Sequence, residues 1–194
     1  ILVSKKYQTT FSHSPTALSA IKGSCYKSMA ILQIKKYPEK ILKTKTEKIV
    51  RMNAKLLKLS KDMIETMYFF NGVGLAANQV GYLPSVFVSD IKPDGVKKPI
   101  ILFNPLILSS SGGCHLEEGC LSIPGISAKI KRAKKIVVSG ITPDEKEIKI
   151  EVEGLLARVF QHEIDHLNGI VFLDRVTFLK RLLLNKKYFK NLCK

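Results

Sequence analysis

No stretch of this 194-residue chain approaches the roughly 18 consecutive apolar residues that a membrane-spanning helix needs. A soluble protein without a membrane partner is therefore expected. Cysteine is sparse: Cys25, Cys114, Cys120 and Cys193 form no C-x-x-C pair and no close-spaced framework. That excludes the small disulfide-stapled secreted class and fits a reducing compartment. Acidic residues are also scarce, and the first 38 residues hold six Lys but no Asp, Glu or Arg. No Gly-Lys-Ser/Thr occurs, which argues against a phosphate loop.

The formal charge of +16 points to a polyanionic neighbour such as nucleic acid, a ribosome or an acidic surface. It is not confined to the leader, since the balance stays positive when those six lysines are set aside. Residues 1–29 form a basic, acid-free, Ser/Thr-rich extension that reads either as a transit-peptide remnant or as a flexible basic tail. Residues 30–194 read as one domain, with 45% hydrophobic residues in the whole chain, enough for a sizeable core.

Ile49, Met52, Leu56, Leu59, Met63 and Met67 recur at spacings of three and four, which predicts a helix with one buried face, stopping by Asn71-Gly72. "SVFVSD", "PIILFNPLIL", "KIVVSG" and "EIKIEV" are β-branched runs and predict strands. "EGLLARVFQHEIDHLNG" returns to helical spacing, and a C-terminal helix is expected in "FLKRLLLNKKYFKNL". The order predicts an α+β fold with antiparallel or mixed sheet.

Chemistry concentrates in three stretches. In "HEIDH", His162 and His166 stand four apart, so a helix sets both imidazoles on one side where they can share an ion. Glu163 follows the first histidine, where a carboxylate can take a proton from activated water. The alternative is an exposed helix with two solvated histidines. The apolar residues Leu155, Leu156, Val159, Phe160, Ile164 and Leu167 favour a buried helix, whose polar groups then need partners. Asp165 lies on another side and suits a supporting role.

A catalytic zinc-type site commonly has three protein ligands and an open position. Beyond Gly169 the chain offers no histidine and only Asp174 as an acid, so an upstream cysteine is the natural third candidate. In "EEGCLSIPG", Cys120 follows Gly119, which permits a tight turn. By itself Cys120 reads first as a small buried hydrophobe; a thiolate ligand completing a Cys-His-His set and a nucleophile beside His162 or His166 are the alternatives. "NGVGLAANQVG" satisfies a dinucleotide fingerprint only formally, because helix precedes it, so no dinucleotide is expected. A better use is close approach to an extended substrate, with Gln79 as amide donor.

Taken in order, "GVGLAANQ", "EGCLS" and "QHEIDHLNG" resemble the three signature motifs of peptide deformylases, over roughly Ile31 to Val176. The resemblance implies antiparallel sheet enclosing a central H-E-x-x-H helix. It implies Cys120, His162 and His166 as ligands of one divalent metal ion per chain, Fe2+ physiologically, with Zn2+, Ni2+ or Co2+ as substitutes. It makes Glu163 the general acid/base, with Gln79 and the N–H of Leu121 stabilising the oxyanion. Gly74 and Gly119 would meet the peptide substrate; Val73, Leu155 and Val159 are candidates to line an apolar pocket for its methionine side chain, with plain core packing as the alternative for each. The implied reaction removes the formyl group of N-formyl-methionyl peptides as a metal-bound water attacks the formyl carbon, releasing formate.

Arg158 departs from an apolar pocket wall, Ile126 to Lys131 match no family pattern, and Arg132 is expected to pair with Glu118 behind the metal. The competing readings are a zinc-dependent peptidase or amidase that accepts unformylated peptides, and a ribosome- or RNA-binding module carried by the basic C-terminus. Formyl-methionine initiates synthesis in bacteria and in organelles of bacterial descent. The leader favours an organelle, plastid-type or mitochondrial, over a bacterial cytoplasm.

Overall fold

The structure, a computed structural model, describes residues 30–92 and 95–192. The expected extension at 1–29 lies outside the described residues. Helix α1 (Ala54–Phe69) begins where the Asn53 side chain accepts the Leu56 N–H at 3.0 Å, satisfying a donor the helix itself cannot. Because Asn53 caps it, Ile49 and Met52 precede the helix rather than extend its face, yet both pack on the same core cluster. Leu59, Met63 and Met67 line that face and are buried. Asn71 then takes a left-handed φ of 53°, tolerable for Asn, and the chain reverses.

Five antiparallel strands follow in the spatial order β1 (Gly74–Ala76), β2 (Val86–Ser89), β3 (Ile100–Ser111), β6 (Lys135–Ile141) and β7 (Glu147–Glu153). Side chains alternate across a strand, so neighbouring residues face opposite layers. Leu75, Val88 and Phe103 join the α1 cluster, while Ala76, Phe87 and Leu102 join a second cluster with Ala157, Phe160, Ile164 and Leu167. Those last four belong to helix α2 (Gly154–Leu167), so α1 and α2 pack on opposite faces of the sheet.

The four strands expected from β-branched runs are present. Pro105 sits inside β3 at a register shift, where a ladder donor is dispensable. Three strands are not expected from the sequence: the short β1, and β4 (Cys114–Cys120) and β5 (Ile123–Arg132), which pair as a separate hairpin. The run that matched no pattern lies in β5: Ile126, Ala128, Ile130 and Arg132 are buried, with Ser127, Lys129 and Lys131 exposed between them. It is plain period-two alternation. This hairpin covers the side of α2 that the sheet does not, so α2 is enclosed. Helix α3 (Phe178–Leu192) occupies the span expected of it and packs on β5. Among the described residues no helix is long and apolar enough to cross a membrane.

Candidate metal centre

Arg158, His162 and His166 follow one another at intervals of four on α2, and the stripe they form faces the β4–β5 hairpin. From the hairpin, Glu118 and Cys120 stand two apart on β4, hence on the same face. The two patterns meet rung on rung. Glu118 Oε2 lies 3.0 Å from His162 Nδ1, and Cys120 Sγ lies 3.2 Å from His166 Nε2.

The two Nε2 atoms are 3.2 Å apart, and with the sulfur all three donor atoms lie within 4.8 Å of one another. Ligands about 2.0–2.3 Å from a tetrahedral ion stand about 3.5 Å from each other. The buried Cys-His-His set therefore fits one divalent ion. Burial pushes the Cys120 thiol up, but the charge of His166 and the hydrogen bonds from His162 and His166 outweigh it and hold the thiol well below its ordinary range. It is poised as thiolate, the ligating form.

Behind the donors lies a network of buried charged side chains, Glu118, Arg132, Arg158 and Asp165. Arg132 donates from Nε and Nη2 to the two Glu118 oxygens, each at 3.0 Å, as expected. Arg158, read from sequence as a pocket-wall residue, instead turns to the hairpin. Its Nη1 donates to Glu118 Oε1 at 2.5 Å and to the Ile130 carbonyl, and its Nη2 to the Cys114 carbonyl. Burial pushes the Glu118 carboxyl up, yet its bonds with His162 and Arg132 hold it well below the usual carboxylate range. As an anion it fixes His162 Nδ1–H, which leaves Nε2 aimed at the ion position. Asp165 accepts from Arg132 and Arg175, on the far side from the donors.

Gln79 reaches the same point from the turn after β1. Its Oε1 accepts the Ala76 N–H at 2.9 Å, which sends Nε2 toward Cys120 Sγ at 3.4 Å and Ser122 Oγ at 3.2 Å. Ser122 was not anticipated, although it adjoins the cysteine motif. Leu121 is buried on the two-residue tip that closes β4 and β5, and Gly119 pairs with Ser127 below it.

Glu163 is fully buried, packed against β1. A Cβ added to Gly74 would stand 2.4 Å from Glu163 Oε1 and 2.9 Å from Val159 Cγ1, so only glycine leaves the carboxylate where it is. Val159 is buried, while Val73 and Leu155 are half-buried, Leu155 one turn before Val159 on α2. The arrangement can hold an ion, donate hydrogen bonds to an oxygen beside it, and move a proton at Glu163.

The sequence profile of the polypeptide deformylase family matches residues 31–182. The peptide deformylase of Thermodesulfovibrio yellowstonii is 51% identical over 161 residues, covering 82% of this chain and 98% of that protein. That of Halothermothrix orenii is 46% identical over 149 residues, covering 76% and 95%. The crystal structure of a peptide deformylase from Legionella pneumophila superposes with a TM-score of 0.79 at 41% identity, covering 84% of this chain and 97% of that one. The peptide deformylase of Ehrlichia chaffeensis in complex with actinonin gives 0.79 at 37% identity, covering 84% and 98%.

Proposed function

Since the chain belongs to the polypeptide deformylase family, a group of metal-dependent hydrolases that remove the N-formyl group of nascent polypeptides, we propose which of its residues carry that reaction. Cys120, His162 and His166 hold the ion; the observation that carries this reading is the convergence of one thiolate and two imidazoles on a single buried point. When bound, the ion supplies Lewis acidity, making water more acidic and polarising the formyl oxygen. We take it to be Fe2+, with Zn2+, Ni2+ or Co2+ as substitutes, since thiolate and imidazole donors suit all four.

Glu163 takes the proton from the attacking water and returns it to the leaving amine, a general base turned general acid. Its enclosure by Gly74 and Val159 keeps the carboxylate dry and fixed. Gln79 Nε2 and the Leu121 N–H donate to the oxygen on which negative charge develops, each typically worth about 3 kcal/mol. β1 is an edge strand of the sheet, so Gly74 offers main chain for an extended peptide, with Gly119 across the cleft. Val73, Leu155 and Val159 line the place of the methionine side chain.

The test is formate release from a formyl-Met peptide by anaerobically purified protein, with the unformylated peptide as control and the metal content measured alongside. One equivalent of formate per peptide, and no cleavage of the unformylated control, is expected. Peptide-bond cleavage without formate would replace this reading by a peptidase.

A Gly74→Ala variant is expected to lose about 100-fold in kcat while keeping its metal, because the new methyl displaces the Glu163 carboxylate and an ångström of misplacement costs about that much. Steady-state kinetics on protein of known metal content would check it; activity within threefold of wild type would show that Glu163 does not need this position.

The stretch from Arg175 to Lys194 carries seven basic and no acidic residues. It suits contact with ribosomal RNA at the point where nascent chains emerge. Such contact predicts a steep fall of ribosome affinity with salt, and an affinity indifferent to salt would discard it. The acid-free leader supports an organelle of bacterial descent as the location, which tagging the full chain in cells would test.

A further inference from the structure

The tip of the β4–β5 hairpin, Leu121 and Ser122, is held from outside by one short segment. Lys36 Nζ donates to the Leu121 carbonyl at 2.7 Å, and the Tyr37 N–H donates to the Ser122 carbonyl at 2.9 Å. One residue earlier, the Lys35 N–H donates to the Gln79 carbonyl at 2.7 Å. Three consecutive residues thus touch both of the residues read above as oxyanion donors.

The segment is itself braced. Glu39 Oε1 accepts the Lys36 N–H at 2.8 Å. The Tyr188 hydroxyl of α3 donates to the Tyr37 carbonyl at 2.9 Å, and the two rings meet edge to face with centroids 5.8 Å apart. Tyr188 is buried, so this brace is part of the core.

We infer that Lys36 and Tyr37, backed by Tyr188, are positioning residues that clip the Leu121–Ser122 turn and so aim the Leu121 N–H at the reacting oxygen. This rests on the reading of Leu121 as an oxyanion donor. A peptide unit is planar, so the Leu121 carbonyl turns with the Ser122 N–H; holding that plane limits rotation about the Leu121 Cα, through which the adjoining plane that carries the Leu121 N–H would otherwise turn. The Lys36 ammonium also brings a positive charge to the turn beside which negative charge develops. None of these residues supplies a proposed ligand atom or the Glu163 carboxylate, so at equal metal content their loss should appear in turnover rather than in substrate binding.

The test compares Lys36→Met, which keeps the stem and removes the ammonium, with Lys36→Arg, which keeps a cationic donor. Rates are taken per metal-loaded chain. Lys36→Met is expected to lower kcat about tenfold, less than outright loss of an oxyanion donor, with KM within twofold. Lys36→Arg should recover most of the rate. In zinc-loaded protein the 15N-resolved amide resonance of Leu121 should move in Lys36→Met and stay in Lys36→Arg. A Lys36→Met protein with kcat within twofold of wild type and an unmoved Leu121 amide would overturn the proposal.

A merely structural role would lower stability and metal occupancy while leaving the rate per loaded chain unchanged, which also overturns it. Should Lys36→Met fail to fold, Tyr188→Phe removes only the donor to Tyr37; it should cost two- to threefold in kcat and shift the same amide, and an unchanged rate and amide would count against the clip. If the wild-type protein itself released no formate, the functional reading would fall, while the Leu121 amide would still decide whether the clip sets the turn.

Discussion

A Glu163→Gln enzyme is expected to bind one metal ion per chain and to release formate about 10²–10⁴ times more slowly than wild type. Glutamine keeps the volume of the side chain, and volume is what this position tests, since a Cβ on Gly74 would stand 2.4 Å from Glu163 Oε1. The three proposed ligand atoms are untouched by the change. What is lost is the ability to accept a proton from water and return it to the amine. The loss therefore belongs in kcat, with KM little altered, because an amide can still fill the wall of the cleft. Metal analysis, thermal unfolding and formate kinetics on the same preparation would check it. A rate within tenfold of wild type at full metal occupancy would remove Glu163 from the reaction and leave proton transfer to another group.

Much of this site is legible in the amino-acid sequence, for a physical reason. His162 and His166 announce themselves because helical periodicity is local, and four residues along a helix is one turn. The strands carried by β-branched runs were equally visible. What escaped is what depends on distant segments. β5 is hard to read although Ile126, Ala128 and Ile130 alternate with Ser127, Lys129 and Lys131, because Pro124 and a left-handed Gly125 stand inside the strand and its outer face is Lys-rich. Arg158 could have been placed from its spacing of four before His162, which sets it on the same stripe; its partner Glu118 is 40 positions away and nothing local names it. Lys36 is further out of reach, acting on Leu121 across 85 positions. Pairings of that kind are tertiary, and a single sequence carries them only through motif order.

The buried network behind the ion makes the second large prediction. Glu118→Ala is expected to cost about 3–5 kcal/mol of stability and to weaken metal binding about 10- to 100-fold. Glu118 is wholly buried and accepts from Arg132 on both oxygens, from Arg158, and from His162 Nδ1. Its removal leaves Arg158 with only carbonyl acceptors and Arg132 with Asp165, both guanidinium groups still out of water. Broken buried pairs are expensive because the remaining charge is uncompensated, whatever the pair contributed when whole. His162 at the same time loses the acceptor that fixes its ring, which is why metal affinity should fall with stability.

Acid supplies an independent check. Because the Glu118 carboxyl is held well below the usual range in the folded protein, its contribution is complete above the unfolded value of about 4.3 and is lost as pH falls below it toward the folded value. The stability gap between wild type and Glu118→Gln, measured by denaturant unfolding, should thus be full at neutral pH and shrink below about pH 4. A gap that stayed constant with pH, together with unaltered metal affinity in Glu118→Ala, would mean that the two arginines find other partners and that His162 is held by its packing alone.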